Sequence, residues 1–121
     1  MNPELLKAAR DLGENLHQSE PVEAYLRAKA VVEADLQLAE RESYLLSVYH
    51  TLVQRQQGGE QLTNQEVQEY NQLSGELQRN PLIQARDSAL GTLKSLFSSA
   101  GNEITNQLGM DFTKLALAPE N

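Results

Sequence analysis

Apolar residues recur every three or four positions along almost the whole chain, and no segment alternates apolar and polar with a period of two. That spacing sets one apolar stripe per helix and predicts an all-α fold. Leu5, Ala8, Ala9, Leu12 and Leu16 trace a helix over residues 3–17, opened by Asn2 as cap and Pro3 in the first turn. Ser19, Glu20 and Pro21 then punctuate the chain, with Ser19 the expected cap of the next element. From Pro21 to Gln57 there are 37 residues with no further proline and no glycine, rich in Ala, Leu, Glu, Gln and Arg. Such residues lose little side-chain freedom in a helix, so the pattern predicts one helix over 20–57, roughly 54 Å long. Gly58-Gly59 ends it. Thr63 and Glu66 fit a capping box, and Val67, Tyr70, Leu73 and Leu77 mark a helix over 63–79. Asn80-Pro81 repeats the opening signal for a helix over 81–108, striped by Leu90, Leu93, Phe97, Ala100, Ile104 and Leu108. Gly91 and Gly101 fall inside it, suited to close packing or a bend. The tail, 109–121, keeps Phe112, Leu115 and Leu117, enough for one docked turn. The expected architecture is a single helical domain over 1–121. Its long central helix belongs to an antiparallel hairpin or bundle of about four helices, dimerising through helices.

The dimer follows from the long helix. Tyr25, Ala28, Val32, Leu36, Ala39, Leu46 and Val53 form its apolar stripe, widened by Val31, Leu38 and Tyr49, against a charged face of Arg27, Lys29, Glu33 and Glu40. From Tyr44 onward the apolar residues spread almost around the helix, and a helix apolar on every side is buried on every side. A 121-residue domain is only about 35 Å across, too short to cover 54 Å. Either the chain's own helices wrap this half, or a second chain does. Tyr44, Leu45, Val48, Tyr49 and Leu52 are the expected intersubunit or partner-facing set, since short chains bury little surface alone and two-fold dimers are the commonest assembly.

Asp35 and Glu42 sit within the stripe, between Val31, Leu38 and Tyr49. A carboxylate buried without a partner is costly. Two readings stay open: both reach water at the stripe's edge, or both are buried charges paired with an arginine, Arg79 or Arg86.

Composition narrows the function. The net charge is −7, from 17 acids against 10 bases, and no segment is basic. Nucleic-acid binding needs a lysine and arginine footprint on the phosphates, so no direct nucleic-acid partner is expected. There is no cysteine and no tryptophan, which removes disulfides, cysteine-ligated clusters and any thiol nucleophile. The first sixteen residues lack the basic and continuous apolar regions of a signal peptide. No apolar run approaches the ~20 residues of a membrane span. A cytoplasmic address is the expectation, with no membrane partner.

Candidate chemistry is sparse. Glu14 and His17 form an E-x-x-H, which places a carboxylate and an imidazole on one helical face. Di-iron bundles need two such motifs and two further glutamates, and Ser47 precedes the only other histidine, His50, by three. Gly58-Gly59 belongs to no phosphate-cradling loop, and the serines lack a nucleophile-elbow context. No catalytic, cofactor-binding or metal residues are assigned, and no enzyme is expected. Two other classes stay open: a structural assembly component forming larger oligomers, and a metal-dependent enzyme using Glu14, His17 and the central acids.

Leu12-Gly13, Ser19-Glu20, Tyr25 and Ala28, then Asp35 and Ala39, resemble the order found in the bacterial YlbF/YmcA family of small helical proteins. Gln54, Gln56, Gln57, Gly58, Asn80 and Pro81 match its Gln-rich helix end, glycine turn and proline-opened last helix, so the resemblance covers about residues 5–108. It implies a helical, commonly dimeric, non-enzymatic cytoplasmic protein. Studied members are similar to adaptors that assemble with each other, as like or related chains, and with a further protein to influence an mRNA-processing ribonuclease. Competence, biofilm formation and sporulation respond. Some members hold iron–sulfur clusters through cysteines; this cysteine-free chain departs there, and no cofactor is carried over.

Overall fold

A computed structural model describes residues 2–117, without the side chain of Leu117. All its regular elements are helical: α1 (Pro3–His17), α2 (Glu20–Ala34), α3 (Leu36–Gln57), α4 (Asn64–Gln78), α5 (Pro81–Leu108) and α6 (Phe112–Leu117). Of the tail expected over 109–121, residues 118–121 lie outside the described residues, as does the side chain of Leu117.

The helix expected over 20–57 is two helices. The chain breaks at Asp35, whose φ of −85° and ψ of 97° are extended, and which is the N-cap of α3. Its carboxylate oxygen accepts from the amide of Leu38 at 3.1 Å, and its carbonyl accepts from Ala39 at 2.9 Å. Its own amide donates to Val32 at 3.2 Å, tightening the last turn of α2. Packing explains the break. Val32 and Leu38 are 2% and 3% exposed and share one core cluster with Leu77 and Ile83. Six residues apart on a straight helix, they would point ~120° apart, and one would face water. Burying such a side chain contributes about 1.5–3 kcal/mol. The lost helical hydrogen bonds cost about 0.5–1.5 kcal/mol each, and the Asp35 side chain replaces one of them. Burial wins. Propensity alone gave no hint, because no proline or glycine marks the site.

The chain divides into two compact units. One is Leu26–Asp87, with the end of α2, all of α3 and α4, and the start of α5. Its core takes Val32, Leu38, Leu77 and Ile83 from these four helices in turn, with Leu45 and Leu82 packed against it. Helices α3 and α4 pack together as a hairpin, closed through Gly59 at a φ of +88°. Caps stand where the sequence signals put them. The Thr63 hydroxyl accepts from the Glu66 amide at 3.1 Å, and the Asn80 side chain accepts from Leu82 at 2.9 Å.

The other unit holds the residues up to Tyr25 together with those from Ser88 onward. Asn2 caps α1, accepting from the Glu4 amide at 2.7 Å. Ser19 stands just before α2, and its carbonyl accepts from Glu23. Its hydroxyl donates back to the carbonyl of Leu16 at 2.5 Å, so it ties off the end of α1. Leu93 is the one buried apolar residue among the described residues of this unit. Gly101 is buried as well. A Cβ there would lie 2.6 Å from the Thr113 hydroxyl oxygen, so glycine is what allows the α6 turn to approach α5. Gly91 has nothing within 4 Å of its missing Cβ, and neither glycine interrupts α5.

Two substitution pairs test this description by thermal unfolding. Asp35→Ala removes the cap and is expected to cost about 1 kcal/mol, lowering the midpoint by several degrees, whereas Asp35→Asn retains it. An Asp35→Ala chain as stable as the parent would refute the role given to the break. Gly91→Ala is expected to stabilise by about 0.5–1 kcal/mol through helix propensity. Gly101→Ala is expected to lose that gain, and more, to the displaced Thr113.

Candidate interaction surface

The α3–α4 hairpin is fixed at its closed end by Arg55. Its guanidinium donates to Glu66 at 2.5 Å and to Glu60 at 2.8 Å, so one cation ties the end of α3 to the connecting loop and to the first turn of α4. The Glu66 hydrogen bond, then that of Glu60, raises the Arg55 pKa above its ordinary value. Glu66 is held below its ordinary 4.5, chiefly by the Arg55 hydrogen bond, with the Thr63 hydroxyl and amide adding to it. The capping box therefore has a second use: its carboxylate also anchors the preceding helix.

At the other end Arg86, on the first turns of α5, donates to Glu42 at 2.7 Å and to Asp87 at 3.0 Å. Partial burial alone would lower the Arg86 pKa, and its hydrogen bonds to Glu42 and Asp87 outweigh that and raise it. Glu42 is half-buried. Of the two acids in the apolar stripe, Glu42 is the one that meets an arginine, and that arginine is Arg86. Asp35 follows the other reading and reaches water: it is exposed, and at the break its carboxylate caps α3 by accepting from the Leu38 amide. Arg79 lies along α4, its guanidinium 3.3 Å from where a Cβ on Gly75 would sit.

Between these two anchors lies the set expected to face a partner. Leu45, Val48 and Leu52 are half-buried, and Leu45 packs against the core. Tyr44 and Tyr49 are exposed, at 60% and 47%. Leu46, expected in the buried stripe, is 55% exposed. The set thus separates by helix face. At about 100° per residue, Leu38, Leu45 and Leu52 follow one line along α3, and Tyr44 and Leu46 fall on either side of it.

Two clefts flank that line. One is bordered by Arg41, Tyr44, Leu73 and Glu76. The other is bordered by Glu42, Leu45, Leu46, Tyr49 and Tyr70. The rings of Tyr49 and Tyr70 are 6.0 Å apart and inclined by 35°, within the range of favourable aromatic pairs. The sequence pattern marks Tyr70 only as part of the α4 stripe. Its contribution to the cleft depends on how α3 and α4 pair, which periodicity does not encode.

Glu14 and His17 both lie exposed on α1. Among the described residues no group of three or more His, Asp or Glu side chains is placed to hold a metal ion. Among the described residues no helix is long and apolar enough to cross a membrane.

Residues 5–109 match the family model described as control of competence regulator ComK, YlbF/YmcA. The chain belongs to the YlbF/YmcA family. Comparison with curated proteins and with solved structures found no match in either. The family carries a regulatory description, and its matched span runs from α1 to the end of α5.

The Arg55 anchor makes the hairpin sensitive to acid. A depressed carboxyl pKa contributes stability that is present above the ordinary value and lost as pH falls through the folded value. Stability is therefore expected to decline as pH drops below about 4.5, and Glu66→Gln is expected to flatten that part of the profile. Denaturant melts between pH 3 and 7 check it, and an unchanged profile in Glu66→Gln would remove Glu66 from the account.

Proposed function

We propose that this chain is a non-enzymatic regulatory adaptor, which acts by presenting the exposed side of α3 to a protein partner. One observation carries the reading. Tyr44, Leu46 and Tyr49 are large and apolar, stand exposed on one helix, and line clefts held open by the paired helices. Tyrosines are preferred contact residues because they offer large area at low entropic cost. The anchors at Arg55 and Arg86 hold α3 in register, so little ordering remains to oppose binding. Recognition would be helix-on-helix, with apolar anchors and charged rims from Glu42, Arg41 and Glu76.

The family description supports a regulatory role. The resemblance extends the proposal to a cytoplasmic adaptor linked to an mRNA-processing ribonuclease and, through it, to competence, biofilm formation and sporulation. The acidic charge supports contact with protein rather than with the RNA itself.

The test compares tagged wild type with a Tyr44→Ser/Tyr49→Ser variant, captured from the native cells after far-UV circular dichroism has shown equal helix content. A partner recovered by the wild type is expected to be lost from the variant, with affinity reduced ten- to a hundredfold for two central anchors. Recovery of the same partners by both chains would overturn the assignment of the α3 face.

A further inference from the structure

We infer that the cleft between α3 and α4 bordered by Tyr44 and Leu73 receives a basic amphipathic helix of the protein partner. Its apolar side chains would rest on the cleft floor and its lysines or arginines on the rim. The inference rests on the adaptor reading and adds the chemistry of the segment that docks.

The floor belongs to the core. Leu38 and Leu77 are 3% and 9% exposed, and they line the cleft with half-buried Leu73 and exposed Tyr44. The cleft holds about 480 Å³, within the range of ~300–1,000 Å³ typical of ligand sites. It lies along the seam of two paired helices, the setting in which a third helix buries an apolar stripe. Helix α4 spans 15 residues, roughly 22 Å, so anchors one and two turns apart on a docked helix find room beside it.

The rim sets the sign of the occupant. From Gly58 to Gln78 the chain has four acids, Glu60, Glu66, Glu69 and Glu76, and no lysine or arginine. Arg55 pairs with Glu60 and Glu66. Glu69 and Glu76 are seven residues apart, so they share one line along α4, and both are exposed. On α3, Glu42 pairs with Arg86, whereas Glu40 and Arg41 border the cleft. Among the described residues Glu40, Arg41, Glu69 and Glu76 form no ion pair. The cations of the hairpin thus neutralise the acids that fix it and leave this side with three carboxylates against one guanidinium.

Such a rim complements a cationic segment and penalises an anionic one. A second copy docked cleft to cleft would set excess carboxylate against excess carboxylate, in a chain that already carries −7. An anionic membrane surface or a nucleic acid meets the same repulsion. A basic helix meets none except at Arg41, which tempers the attraction.

Fluorescence anisotropy on the full chain tests this with two labelled peptides, an amphipathic leucine–lysine helix and its leucine–glutamate counterpart. The lysine peptide is expected to bind in the micromolar range and to weaken as salt is added. The glutamate peptide is expected to bind at least about tenfold more weakly. Glu69→Lys/Glu76→Lys is expected to weaken the lysine peptide about tenfold, and Tyr44→Ser to weaken it by removing a wall of the cleft. Arg41→Gln is expected to tighten it about two- to fivefold, a gain that a damaged fold would not produce. Glu14→Lys/Glu103→Lys makes the same change in net charge outside the hairpin and is expected to bind as the wild type does.

Equal affinity for the two peptides overturns the inference. So does a lysine peptide indifferent to Glu69→Lys/Glu76→Lys, or weakened as much by Glu14→Lys/Glu103→Lys. Self-association that changes in Glu69→Lys/Glu76→Lys but not in Glu14→Lys/Glu103→Lys, followed by sedimentation equilibrium, assigns the cleft to a second copy and overturns it too. In capture from the native cells, a partner lost from Tyr44→Ser/Tyr49→Ser but retained by Glu69→Lys/Glu76→Lys leaves the adaptor reading standing and sinks this one. Partners retained by the tyrosine variant, with peptide binding still dependent on Glu69 and Glu76, remove the adaptor reading while the cleft keeps its preference for a basic helix.

Discussion

The core of the Leu26–Asp87 unit depends on a break in the chain that its local sequence does not favour. Val32 and Leu38 are the two most buried large side chains among the described residues along with Ile83, and they lie three residues to either side of Asp35. A straight helix would bury one and wet the other. Interrupting it lets both enter the same cluster with Leu77 and Ile83, so one helix becomes two of the four walls of the core. Asp35 makes this affordable, because its side chain takes over an amide that the break orphans. An alanine or leucine at this position offers no such acceptor, and the local preference for a continuous helix would meet less opposition.

A core of so few residues leaves other interactions to define the hairpin, and two arginines do so. Arg55 joins the end of α3, the loop and the start of α4, and Arg86 joins the start of α5 to the second turn of α3. Both guanidiniums bridge two carboxylates, which suits their fixed fork of donors better than a lysine would. Exposed pairs contribute little singly. Their value here is geometric: the Arg55–Glu66 and Arg86–Glu42 bonds each join two different helices, so they fix register where the apolar contacts are too sparse to do so alone.

Much of this was legible in the residues. The caps at Asn2, Thr63 and Asn80 announced their helices because the chemistry of a cap is local: a short polar side chain and amides within three positions. The turn at Gly58-Gly59 was legible for the same reason. The division of 20–57 was not, since the force that breaks it comes from Leu77 and Ile83, forty or more residues away from Val32. The pairing of Glu42 with Arg86 was legible as a need, an acid within an apolar stripe, and Arg79 and Arg86 were the arginines the sequence offers to meet it. Asp35 presented the same need and resolved it differently, because its position falls at the break while that of Glu42 falls within a helix. Leu46 shows the converse: a stripe extrapolated through the break assigns it to the core, yet the rotation at Asp35 carries it to the surface.

That rotation also decides what the molecule offers to others. Had the helix run straight, Leu36, Leu46 and Val53 would have continued the stripe of Val32, and the tyrosines would have lain beside it on one broad apolar band. With the break, α3 turns Leu38, Leu45 and Leu52 inward and leaves Tyr44 and Leu46 on opposite shoulders. An apolar band that wide would invite indiscriminate association. On the adaptor reading proposed above, two narrower strips, each bordered by charges such as Arg41 and Glu76 or Glu42, would discriminate between partners through the unpaired charges they impose on a poor match. On that reading the residue that shapes the core is also the residue that makes a greasy helix selective, and a regulatory protein needs the second property as much as the first.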